Sequence, residues 1–152
     1  MSGIEFSFEE EISLNSELET VLLDKLTFLM EKTGNQDKML SLFFCSEETI
    51  KDLNSSYRGV DKTTDILSWL YEEDNPVAEQ ETWGELAICL EVCRRQADKT
   101  GLTLEIELLR LMVHGLVHLM GFDHEESPEE EQRMLAREKE LLTLIGLEGI
   151  YD

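Results

Sequence analysis

Apolar and polar residues alternate at the start of the chain, where Ile4, Phe6 and Phe8 are separated by Glu5 and Ser7. A period of two places one side of the backbone against a core and predicts a first strand. The period then lengthens: Leu18, Val21, Leu22, Leu26, Leu29 and Met30 form a helical stripe that Gly34 can stop, with Ser16 and Glu19 spaced as a capping box. Residues 39–44 are a short apolar run, read as a buried strand. Ser46 can cap a helix carrying Ile50, Leu53 and Tyr57, and residues 58–65 are polar enough for a loop. Two more strands are predicted at 66–71 and 85–90. Between them the acidic segment 72–81, with Pro76, reads as an exposed and mobile connection.

Helical sequence dominates the rest. Residues 91–100 predict a short helix stopped by Gly101, and Thr103 can cap its successor. That successor carries Ile106, Leu109, Met112, Val113, Leu116, Val117 and Met120, apolar nearly all round, so it should be central and buried. Ser127 followed by Pro128 marks the start of a last helix, running to about Ile145 before Gly146. The order strand, helix, strand, helix, strand, strand and three helices predicts an α+β fold. We read a single domain over residues 1–152, a small mixed four-stranded sheet packed on one side by about five helices. Strand order does not follow from the pattern.

Composition narrows the function. With 13 Lys and Arg against 34 Asp and Glu, the formal net charge is −21. No broad basic surface can grip duplex DNA through many phosphates, so no DNA partner is expected, and a polyanionic substrate would have to be held locally. The acid excess also suits a basic protein partner. No stretch approaches the run of about 20 apolar residues that a membrane span needs, and residues 1–6 lack the blocks of a signal peptide. A cytoplasmic protein with no membrane contact is expected. Cys45, Cys89 and Cys93 are odd in number and flanked by apolar residues, which suits small buried side chains.

The chemistry concentrates in one segment. All three histidines lie within eleven residues, His114, His118 and His124. The first two are one helical turn apart on one face, a spacing at which two imidazoles can share a metal ion. Gly121 can end the helix so that Phe122-Asp123 turns His124 back to the same point. Three nitrogen ligands without a fourth describe an open, zincin-like metal helix suited to catalysis. Zinc proteases with this spacing carry a glutamate directly after the first histidine as general base; here that position is Gly115. The spacing supports metal-assisted hydrolysis, and the missing glutamate counts against a peptidase.

The run from His114 to His124 closely resembles the signature of the YbeY family, bacterial endoribonucleases of ribosomal RNA maturation. Two further blocks agree: Leu53-Asn54-Ser55-Ser56-Tyr57-Arg58-Gly59 with residues 62–68, and Gly84-Glu85-Leu86-Ala87-Ile88-Cys89. The resemblance implies one divalent metal, zinc, at His114, His118 and His124, with His114 and Arg58 in the catalytic machinery. It implies cleavage of single-stranded RNA, in 16S ribosomal RNA 3′-end processing, and small-subunit ribosome assembly with ribosomal RNA and small-subunit proteins as partners. Arg58 suits a phosphate clamp, because its planar fork donates two parallel hydrogen bonds. It equally suits a cation complementing a helix C-terminus. Asp65 and Asp123 are candidates to orient a ligand histidine, or are local loop and turn residues. Arg94, Arg95 and Lys99 form a basic cluster that can touch RNA or simply face solvent. Trp69-Leu70 stands where the family has phenylalanine and proline; Trp69 is either buried or free to stack on a base.

Other readings stay open. The site can serve a metallohydrolase acting on a peptide or small molecule, or a non-catalytic ribosome assembly factor with a structural metal. Three imidazoles also suit nickel, iron or copper.

Overall fold

The computed structural model describes residues 3–71, 82–122 and 127–150. Strand β1 (Gly3–Phe8) leads through helix α1 (Ser16–Lys32) into β2 (Met39–Cys45), which pairs with it in parallel from Gly3 opposite Met39 to Phe8 opposite Phe44. Parallel neighbours need a long crossover, and α1 supplies it. Helix α2 (Glu47–Arg58) precedes β3 (Ile66–Leu70) and β4 (Thr82–Cys89). β4 lies parallel beside β2 and β3 runs antiparallel along its outer edge, giving the order β1-β2-β4-β3. Helices α3 (Leu90–Thr100), α4 (Leu104–Leu119) and α5 (Pro128–Leu144) follow. The mixed four-stranded sheet and five helices of the described residues agree with the α+β expectation. The acidic segment 72–81 lies outside the described residues.

Strand side chains alternate between faces, and the two faces are covered differently. Leu40, Leu42 and Phe44 of β2 and Leu86 and Ile88 of β4 join the larger core with Leu22, Leu26 and Leu29 of α1, Met112, Val113 and Leu116 of α4, and Leu141 of α5. The intervening positions, Cys45, Ala87, Cys89 and Leu67, pack with Ile50 of α2 and Val92 of α3, backed by Phe43, Leu53 and Trp69. The expectation of helices on one side alone therefore fails. α2 has a narrow apolar stripe, but the opposite face of this small sheet is narrow too, and Ile50 with Leu53 suffices to cover it. Burying each such side chain contributes about 1.5–3 kcal/mol, so neither face would be stable left wet.

Local chemistry sets the helix ends. Ser46, Thr103 and Ser127 accept hydrogen bonds from the backbone N–H groups of Thr49, Ile106 and Glu130 at 3.2, 3.2 and 3.1 Å, as expected of caps. The cap of α1 is not Ser16 but Asn15, whose Oδ1 accepts from Glu17 N at 2.8 Å and Leu18 N at 3.4 Å. Asparagine caps as well as serine does, and from the position just before the helix it meets the N–H groups two and three residues ahead. No helix among the described residues is long and apolar enough to cross a membrane. The three cysteines are buried, unbridged thiols. Burial pushes the Cys45 thiol up to about 12 and raises those of Cys89 and Cys93 for the same reason.

Candidate functional site

α4 is the most buried helix, and its exceptions are informative. From Glu107 to Leu119, only Arg110, His114 and His118 escape full burial. They recur every four residues, so one narrow polar stripe runs down an otherwise apolar helix. Arg110 closes its end of the stripe by forking the buried Glu107 carboxylate, at 2.7 Å through Nε and 3.0 Å through Nη2. His114 and His118 occupy the other end, with ring centroids 5.0 Å apart and planes at 84°. Two neutral imidazoles one turn apart can aim nitrogen lone pairs at one cation, and the carbonyl end of the helix beneath His118 favours positive charge. The helix closes as expected at Gly121, whose φ of +102° a side chain would resist. The third expected ligand, His124, and the neighbouring Asp123 lie outside the described residues.

A residue the sequence reading missed completes the described site. Glu138 of α5 is buried, and its Oε1 lies 3.1 Å from His114 Nδ1. An ionised carboxylate can only accept, so the contact favours the tautomer that carries its proton on Nδ1. A fixed Nε2 donor is what metal ligation asks of a histidine, and the pair therefore fits the implied cation. The local signal for Glu138 was faint. It lies in a helix rich in acids, distinguished only by sharing the stripe of Met134, Leu141 and Leu142.

Gly115 explains the absent glutamate. A Cβ there would lie 2.7 Å from Leu86 Cδ2 and 3.1 Å from Ile66 Cδ1, so this position faces the sheet and not the imidazoles. Across β4, Gly84 meets Leu119 in the same way, its added Cβ falling 2.7 Å from Leu119 Cδ1. The two glycines let α4 lie close on β3 and β4, and no base can reach the site from residue 115.

Arg58 is the exposed last residue of α2, at the carbonyl end, followed by Gly59 with φ +70°. The loop after it is pinned by the buried Asn54, whose Nδ2 donates to Lys62 O at 2.9 Å. Asp65 is half-buried; Thr64 Oγ1 lies 3.4 Å from its Oδ1, and the Gln96 amide, turned to donate, lies 3.3 Å from its Oδ2 and 2.8 Å from Glu107 Oε2. Gln96 thus ties Asp65 to α3 and α4, while the acceptor for His114 is Glu138. Arg94, Arg95 and Lys99 are exposed on α3, and Arg95 pairs with Glu47 of α2. Trp69 is half-buried against the smaller core, with exposed Tyr57 edge-on to it at 5.5 Å.

Known proteins resemble this chain in sequence and fold. The family model described as endoribonuclease YbeY matches residues 5–146. An endoribonuclease YbeY from Staphylococcus saprophyticus is 37% identical over 131 residues, covering 82% of this chain and 85% of its own. One from Streptococcus pyogenes serotype M5 is 32% identical over 157 residues, covering 91% and 94%. The solution structure of TM1509 from Thermotoga maritima superposes with a TM-score of 0.58 at 29% identity, covering 93% of this chain and 91% of that one. With the family model spanning nearly the whole sheet and all five helices, the chain belongs to the endoribonuclease YbeY family.

Proposed function

We propose that this protein is a metal-dependent endoribonuclease that cuts single-stranded ribosomal RNA, maturing the 16S 3′ end as the small subunit assembles in the cytoplasm. The observation that carries the reading is the half-exposed imidazole pair, His114 backed by buried Glu138, on a helix otherwise committed to the core. It stands in a chain whose relatives are described as endoribonucleases.

His114 and His118, with His124 six residues further along the chain, would hold the metal, for which zinc suits three imidazoles. When bound, such an ion polarises a phosphoryl oxygen and makes water a stronger nucleophile near neutral pH. The protein's own groups do the positioning. Arg58 stands on a helix end and before a pinned loop, so its guanidinium can clamp phosphate oxygens and offset charge developing on the scissile group. The side of α4 carrying Gly115 is sealed against the sheet, which removes the proton-handling glutamate that peptide cleavage would use. The net charge of −21 favours delivery of the RNA by basic small-subunit proteins over unaided capture.

Purified protein should cleave a structured RNA at unpaired positions, lose that activity with chelator, and leave casein intact. His118→Ala should lose both metal and cleavage. Arg58→Ala should keep metal and fold while cleavage falls roughly 100-fold or more, the usual loss of one charge-stabilising donor. Casein cleavage without RNA cleavage would transfer the site to a peptidase. Full function in cells of a folded His114→Ala variant would make the metal structural and the protein an assembly factor.

A further inference from the structure

Resting on the metal reading above, we propose that Glu138 is the positioning residue of the site, fixing the tautomer and ring orientation of His114 from a different helix. α5 has four buried residues, Met134, Glu138, Leu141 and Leu142, and one of them is an acid. By spacing, residue 138 belongs to the core-facing stripe, where leucine would pack without any desolvation cost. A buried carboxylate is destabilising unless its partners compensate, and removing it for a hydrophobe of similar size is often neutral or better. The fold keeps the acid at a cost, and among the described residues its carboxylate lies against His114.

The contact has a defined chemical consequence. Glu138 Oε1 sits 3.1 Å from His114 Nδ1, and the His114 side chain is 29% exposed while that of Glu138 is only 6%. With Nδ1 donating to the carboxylate, Nε2 is the nitrogen that keeps a lone pair for a cation. The same bond stops the ring from turning about its last torsion, so the ligand atom is placed before any ion arrives. Carboxylate partners of this kind typically contribute 10–100-fold in metal affinity. α5 thereby takes part in the site without supplying a ligand.

The competing account is that Glu138 merely ties α5 to α4. The two are separated by Glu138→Leu and Glu138→Gln. Leucine restores an apolar contact between the helices; glutamine keeps the shape but can donate to Nδ1 and so favour the wrong tautomer. Thermal unfolding of the metal-free proteins checks that each variant folds. Nitrogen–proton correlation spectra of the imidazoles, recorded without metal, read the His114 tautomer directly, and zinc affinity is measured by competition with a chromophoric chelator. We expect the Nδ1–H form in the wild type, its loss or mixture with the other form in both variants, and zinc affinity weakened 10–100-fold in variants that remain folded. Wild-type zinc affinity in folded Glu138→Leu, or an Nε2–H form of His114 in the wild type, overturns the inference alone. If Glu138→Leu fails to fold, Glu138→Gln decides on the same two readouts. A wild-type protein that takes up no zinc overturns the metal reading and this inference with it.

Discussion

At Gly115 the absence of a side chain decides both packing and chemistry. Alanine is better than glycine in a helix interior by about 1 kcal/mol. Yet its Cβ would lie 2.7 Å from Leu86 Cδ2, on a side chain that is itself fully buried and has little room to yield. Overpacking of this kind costs about 1–3 kcal/mol, so Gly115→Ala should destabilise by about 1 kcal/mol net. Urea unfolding measures it, and any gain in stability would show that α4 has slack against the sheet. At this scale the sequence was uneven evidence. The imidazole spacing was legible because His114 and His118 lie one turn apart on one helix. Glu138 was not, because its meaning comes from the side chain of a residue 24 positions away. Asn15 and Ser16 were both competent caps, and only the path of the chain into α1 chose between them.

Elements are joined by a few specific contacts, of which the clamp from β1 to α2 is the clearest. Just beyond β1, Glu9 accepts from Ser46 N at 3.0 Å and from Ser46 Oγ at 3.2 Å, so a carboxylate sits on the N-terminus of α2. The backbone N–H of Ser46, and then the Thr49 hydroxyl, hold its pKa below the ordinary 4.5. A folded-state pKa that is depressed favours the native state above the unfolded value, and the benefit disappears as pH falls through the folded one. Glu9→Gln should therefore lower stability by about 1 kcal/mol near neutral pH, discounted for partial exposure. The difference from wild type should shrink once pH drops below about 4.5. Paired denaturant titrations across pH test this, and a constant difference down to strongly acid pH would remove Glu9 from the clamp. Element boundaries of this sort could be read locally, from Ser46, Thr103, Ser127 and the glycines at 101 and 146. The order β1-β2-β4-β3 and the placing of α2 on the far face could not. They depend on pairings between distant residues that leave no periodic trace.

For the whole molecule, the net charge of −21 contrasts with the part-exposed polar stripe of Arg110, His114 and His118 on α4. On the proposed function, Arg58 and a cation held by the imidazoles would supply positive charge locally in an acidic chain. The sheet also sorts the three cysteines by side. Cys45 and Cys89 lie in the smaller core under α2, while Cys93 faces the larger core with α1, α4 and α5. Concealed and held above their normal acidity range, none should react with an aromatic disulfide reagent while the chain is native. Each sulfur modified would then time-stamp the parting of one layer, so the first to be labelled, identified by mass spectrometry, names the layer that breathes first. Simultaneous labelling of all three would mean instead that the two layers come apart only together.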